Sequence, residues 1–504
     1  MNSTKYGVLS NHDEDFYSRF DKFTTGKNLT KDNVHELLEE FFINHLSPHI
    51  SDYVINVGGL SSAVPSKICS FMADIYNRKS EDGIPVDWTN ISNLKFAHLL
   101  YSEWGIDLID ELFAFLKKNN CRSWLSFRMN DCHQGTEPVS PLRSDFFYTA
   151  KHNGWFVGEK YGYFSSCLDF SFPEVRNYVL SYIKEQLARF DVYGVEWDFM
   201  REPICFDYLE RTDCCDIMNA FFRDLKKAVE DAEKIHGHPI KINARVCRDI
   251  EHNKVFGLDV RTWIKEGLVT SITPTPRFTY TDATMPIPEW KKLVEGTEVE
   301  LYAGIEVLSY TRVANDDKVI AALSNKYLSE GADKIYFFNF FYSHNLGDIG
   351  ADIVKENSYA GASLENAKSV DARYVLTGQD FGPLECELYS PYPIKVCGNL
   401  AYDIATSSYD EKQKITVYVT CDREDISLSV NGVKADRSDR ADYLLKYPIP
   451  YESWSSWISE ELCNNAKMLA FEVECDASAK TQKLAFSVDA KAEIIYIEMY
   501  FHKN

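Results

Sequence analysis

Eight short apolar runs, each followed by a helix or a helix-length segment, govern what this 504-residue chain can fold into. They stand near residues 6–10, 53–59, 122–128, 192–198, 240–246, 269–274, 299–306 and 334–340. Continuous apolar runs of this length mark strands buried on both faces. The intervals carry helical spacing. Val34, Leu37, Leu38, Phe41, Phe42 and Leu46 share one face of a segment that Thr30 should cap and Pro48 should close. Further helices are predicted over 94–119, 173–189, 213–236, 260–264, 287–294 and 316–329, and an aromatic-rich loop over 134–172. Eight such units over about 360 residues predict a (β/α)8 barrel. A doubly wound sheet would need a glycine-rich phosphate loop after its first strand, and none follows Tyr6-Gly7-Val8-Leu9-Ser10.

Past residue 370 the texture changes to short alternating segments at 414–419, 426–432 and 492–498, with Asn431-Gly432 as a hairpin turn signal. The expected organisation is a catalytic barrel over 1–370 and a β-sandwich accessory domain over 371–504. No internal repeat or low-complexity stretch is visible.

The polar residues collect where the apolar runs stop. Trp124-Leu125-Ser126-Phe127 breaks off into Arg128, Asn130, Asp131 and His133, and Val195-Glu196-Trp197-Asp198 runs on to Arg201. The first run ends in Asn11-His12-Asp13-Glu14. Asn56, Asn243, Arg245 and Glu306 mark further strand ends, and His344 and Asn345 follow the eighth. In parallel α/β folds the chemistry lies just beyond the C-terminal ends of the strands, so these residues predict one shared acidic pocket containing arginines and a histidine.

Composition narrows the partners. A net charge of −22 argues against nucleic acid, because phosphate binding needs clustered Lys and Arg. An anionic substrate would need local arginines against a repulsive field, and Arg128 and Arg201 stand in suitable places. Aromatic content of 14% suits a carbohydrate-facing protein as well as a large core. Thirteen irregularly spaced cysteines give neither a disulfide framework nor a CxxC metal site, which points to a reducing compartment. No apolar signal core opens the chain and no stretch reaches the ~18 apolar residues of a membrane span. The default expectation is therefore cytoplasmic.

The motifs Asn11-His12-Asp13-Glu14, Arg128-Met129-Asn130-Asp131-Cys132-His133, Glu196-Trp197-Asp198-Phe199-Met200-Arg201 and Ser343-His344-Asn345 resemble those of glycoside hydrolase family 156, inverting exo-sialidases built on a (β/α)8 barrel. The resemblance extends over essentially the whole chain. It implies a sialylated glycan or glycoconjugate as substrate, no cofactor or metal, and a homodimer. It further implies His133 as general acid, Asp13 as general base, and Arg128, Arg201 and Asn345 as substrate contacts. Asn130, Asp131, Glu196, Asp198 and Glu306 become supporting groups.

The residues alone leave other readings open. A retaining glycosidase needs two carboxylates about 5–5.5 Å apart, which Glu196 or Asp198 with Glu306 could supply. A metallohydrolase would need three or four ligands at the strand ends, where His12 and Asp13 stand without a second histidine. A sugar-binding barrel without catalysis is the non-enzymatic reading.

Overall fold

The structure, a computed structural model, describes residues 6–13, 21–24, 29–59, 61–77, 92–132, 143–277, 281–306, 308–309, 313–340, 350–376, 392–409, 412–445 and 458–503. Eight parallel strands close into a barrel: β1 (Val8–His12), β2 (Ile50–Gly58), β3 (Arg122–Arg128), β4 (Gly194–Asp198), β5 (Lys241–Cys247), β6 (Ser271–Thr275), β7 (Glu300–Glu306) and β8 (Lys334–Phe338). Each neighbours the next in sequence, and β1 closes on β8. This is the (β/α)8 fold that the spacing predicts.

Strand alternation divides the residues between two environments. Leu9, Val54, Trp124, Tyr302, Tyr336 and Phe338 fill the barrel interior as a separate apolar cluster. Trp124 fits only because β4 starts with glycine: a Cβ on Gly194 would lie 2.3 Å from the indole ring. Outward-facing Ile55, Leu125, Val195, Ile242, Ile272, Leu301 and Ile335 pack in the larger core that the helices cover. Burying each such side chain contributes roughly 1.5–3 kcal/mol.

Register places the polar residues on shared levels. Ser126 pairs with Glu196 and Glu196 with Asn243. One step toward the C-terminal end, Arg128 pairs with Asp198 and Asp198 with Arg245, and Phe338 pairs with Glu306. The upper level is therefore lined by charge before any loop contributes.

Three helical expectations change. The first long helix is Val34–Asn44, with Asn33 at its N-cap; the Thr30 hydroxyl accepts the Asn33 N–H instead of capping the helix itself. The segment expected as one helix over 94–119 is three pieces: Ser92–His98, a π-helical Leu99–Trp104 and Leu108–Lys118. Gly105 separates them in the left-handed region at φ 69°, and Asp107 caps the last piece by accepting from the Ile109 and Asp110 N–H groups. The expected loop 134–172 contains a helix, Asp145–Asn153, capped by Ser144 and ended by Gly154 at φ 70°. Helices Pro173–Arg189 and Ile287–Val294 agree with their predicted bounds.

From Ala372 onward the described strands all pair antiparallel, with one short helix at Glu460–Asn465. The final strand, Thr481–His502, hydrogen-bonds with four others, Ala372–Leu376, Ile394–Ala405, Lys412–Cys421 and Ser427–Val430. Asn431 and Gly432 turn the predicted hairpin with φ 51° and 83°. Arg373 joins this domain to the barrel through Asp316 at 3.3 Å, and the Thr281 hydroxyl donates to the Val375 carbonyl at 3.1 Å. Among the described residues the cysteines are all free thiols, and no helix is long and apolar enough to cross a membrane.

Candidate active site

The C-terminal end of the barrel gathers several of the charged residues that the strand ends predict there. β3 brings Arg128 to the rim, where its guanidinium donates to Asp13 Oδ1 at 2.6 Å and to Asp131 Oδ2 at 3.4 Å. The Arg128 side chain is only 4% exposed, whereas Asp13 keeps 20% of its side-chain surface open. Gly59 makes room for this group, since a Cβ there would stand 3.2 Å from the Arg128 Cβ. Asn130, beside them in sequence, serves the backbone: it donates to the Leu168 and Ile204 carbonyls, both at 2.8 Å, and accepts the Leu168 N–H at 3.0 Å. It thereby ties the exits of β3 and β4 to the segment 155–168.

One layer deeper, the acidic residues of β4 and β7 are committed to interior partners. Arg245 is fully buried, stacks on Phe338 at 3.5 Å from the ring centroid, and donates to Asp198 at 2.9 Å and to Glu306 at 3.2 Å. Asp198 Oδ1 also accepts the Met200 N–H at 2.8 Å. Glu196 lies lower still. Ser126, Tyr336 and Asn11 donate to its Oε1 at 2.8, 2.8 and 3.3 Å, and Asn243 to its Oε2 at 2.9 Å. Burial, reinforced by the charge of Asp198, pushes the Glu196 carboxyl up to about 7.

The structure thus brings Asp13, Arg128 and Asp131 together at the rim and groups Glu196, Asp198 and Glu306 with Arg245 beneath it. Arg201 is half-buried on the loop after β4. His133, His344 and Asn345 lie outside the described residues. His12 faces away from the pocket: its ring stacks on Tyr53 at 3.9 Å and touches His45 at 5.8 Å between the barrel and helix Val34–Asn44. No group of three or more His, Cys, Asp or Glu that could hold a metal occurs among the described residues. A cavity of about 580 Å³ lined by Tyr6, Leu46, Pro48, Phe115 and Arg122 opens at the opposite end of the barrel and contains none of the rim residues.

A second charged group stands past β6, outside the residues that the strand ends predict. Arg277, two residues past β6, donates to Glu202 Oε2 at 2.5 Å, and the Tyr163 hydroxyl donates to Glu202 Oε1 at 3.0 Å. Both members of the ion pair are sealed from solvent, at 1% and 0% side-chain exposure. The signal was available: Arg277 follows the Thr273-Pro274-Thr275 run as Arg201 follows Trp197-Asp198.

No protein-family model matches the chain, and no curated protein does. Solved structures similar to it include the GH36 alpha-galactosidase AgaB from Geobacillus stearothermophilus, at 13% identity and TM-score 0.34, covering 94% of this chain and 55% of that one. The chain therefore spans about half of that galactosidase. The alpha-L-fucosidase AlfC from Lactobacillus casei is similar at 11% identity and TM-score 0.36, with 73% and 97% covered. The GH30 xylanase C catalytic domain from Talaromyces cellulolyticus stands at 9% and 0.37, with 96% and 98% covered.

Proposed function

We propose that the protein is a glycoside hydrolase that releases terminal α-linked sialic acids from glycans or glycoconjugates, inverting the anomeric centre in a single displacement. Asp13 acts as general base on water and His133 as general acid on the leaving oxygen. Arg201, with Arg128 and Asn345, receives the substrate carboxylate, and the enzyme works as a homodimer without a cofactor.

The observation that carries this reading is the contrast in commitment among the carboxylates. Asp13 sits at the rim with a fifth of its side chain open and an ion pair to Arg128. Glu196, Asp198 and Glu306, the candidates for a carboxylate pair, are 1–3% exposed and bound to interior donors and Arg245. A sialoside carries its carboxylate on the reacting carbon. That group calls for an arginine, which binds carboxylates through two parallel N–H donors. It also repels an anionic nucleophile on the enzyme while leaving neutral water free to approach. Inversion needs acid and base on opposite sides of the sugar with space for that water, ~6.5–9.5 Å for paired carboxylates.

Release of free sugar from an aryl α-sialoside, followed by proton NMR, tests the proposal. The first product should be the β-anomer, joined later by the α-anomer through mutarotation. Initial α-anomer would reject single displacement, and no release at all would reject the sialidase reading.

A further inference from the structure

We propose that Tyr163, Glu202 and Arg277 are positioning residues that fix the direction of Arg201; this deepens the reading above and rests on Arg201 as the receiver of the substrate carboxylate. Arg277 Nη2 donates to Glu202 Oε2 at 2.5 Å and also to the Arg201 carbonyl at 3.4 Å. One guanidinium therefore grips the backbone at residue 201 and the side chain at residue 202. The Arg277 guanidinium itself lies 5.0 Å from the Phe164 ring centroid, and the neighbouring Tyr163 closes the other carboxylate oxygen of Glu202. Three separate segments, the exits of β4 and β6 and the 3-10 turns of Glu159–Ser166, thus converge on the peptide that carries Arg201.

Local geometry shows how Tyr163 reaches this place. Gly162 breaks the 3-10 segment at φ 55°, ψ −116°, a conformation that turns the chain between Tyr161, which donates to Asp207, and Tyr163, which donates to Glu202. Tyr163 is 47% exposed although its hydroxyl is engaged by Glu202. Burial and the charge of Glu202 push its phenol up, which keeps it a donor at any working pH. A buried ion pair is poor value as stability alone, because desolvation cancels most of its attraction. Its use here is directional: a bidentate carboxylate clamp needs its own guanidinium held to within a fraction of an ångström.

The test uses the full chain with Tyr163→Phe, Glu202→Gln and Arg277→Lys. Steady-state kinetics on an aryl α-sialoside should show KM raised about three- to tenfold in Tyr163→Phe, with kcat within about twofold of wild type. Titration with free sialic acid should show the same loss of affinity. Glu202→Gln should act in the same direction more strongly, and its crystal structure should show the Arg201 guanidinium displaced. Should Glu202→Gln fail to fold, Tyr163→Phe, which removes one oxygen from a half-exposed ring, decides by itself. Unchanged KM and affinity in Tyr163→Phe, with Arg201 unmoved in its crystal structure, would overturn the inference. If wild type cleaves no sialoside, the functional reading fails separately, and the position of Arg201 in variant and wild-type crystals still decides the positioning role.

Discussion

At the N-terminal end of the barrel Asp52 accepts from Trp124 Nε1 at 2.9 Å, Ser51 Oγ at 2.6 Å, Arg122 at 2.5 Å and Lys334 Nζ at 3.0 Å, and its side chain is 1% exposed. At the C-terminal end Asp13 is bound by Arg128 at 2.6 Å and remains 20% exposed. Both are aspartates paired with an arginine of β3, six residues apart on the same inward face. The lower one is closed off by donors on every side, and its role ends at holding β2, β3 and β8 together. The upper one is oriented by its arginine and still open, which is the condition a base must meet to touch water. In this barrel the identity of a charged pair says less about its role than the fraction of it left accessible.

The comparison is broken most forcefully at its lower end. Asp52→Ala leaves Lys334 buried without its carboxylate and Trp124 without an acceptor, so it should cost roughly 3–5 kcal/mol. Denaturant unfolding measures this, and kcat per folded molecule should not change. A stable variant with lost activity would move the chemistry toward the wrong end of the barrel.

Asp13→Ala and His133→Ala are the converse experiment. Each should lower kcat by ~10² or more, the usual range for acid–base groups, while the melting temperature stays near that of wild type. Near-normal turnover in both, with Glu196→Gln or Glu306→Gln inactive, would hand the reaction to the interior carboxylates and make Asp13 structural.

Arg201→Lys probes the same end with a gentler change. It keeps the charge and loses the planar fork, so KM for an α-sialoside should rise about tenfold, or ~1.4 kcal/mol, with a smaller change in kcat. Unchanged affinity for sialic acid by titration would return Arg201 to a structural role.

How far the sequence carries depends on where each signal lives. The eight strands were legible because both of their faces are buried, so that even the polar residues alternating along β4 and β5 stand among apolar neighbours in short runs. Helix Pro173–Arg189 was legible from proline at its first turn. The break at Gly105 was hidden, since apolar spacing on either side of it continues as if one helix ran through. Helix Asp145–Asn153 was hidden by its aromatic content, although Ser144 and Gly154 mark both of its ends. Strand-end reasoning put Asp13, Arg128 and Asp131 at one end of the barrel because each stands within a few residues of the end of an apolar run. It could not tell that Asn130 serves backbone carbonyls, or that Glu202 pairs with a residue 75 positions away, because such partnerships exist only once the strands are laid side by side.

The mildest distinction between layers is one of proton affinity. Burial pushes Asp52 up, but Lys334, Arg122 and Ser51 outweigh it and hold the carboxyl below its ordinary value. Its contribution to stability is therefore present above its unfolded pKa and lost only as the pH falls through the still lower folded value. Glu196 is the opposite case. Burial first and then Asp198 raise it from 4.5 to about 7, and burial likewise raises Glu498 in the β domain to about 7. Such groups favour the folded state fully below the unfolded pKa, and that contribution disappears as the pH rises through the folded one. The Glu196 and Glu498 contributions should therefore fall between about pH 5 and pH 7, against the opposite trend of His12 and His45, whose values burial lowers. Glu196→Gln, which cannot titrate, should shift the slope across that window by on the order of 1 kcal/mol. Unfolding curves at the two ends of the window give the comparison directly. An equal slope in both proteins would mean that Glu196 stays ionised among its four donors, so that the interior carboxylate resembles Asp52 rather than contrasting with it.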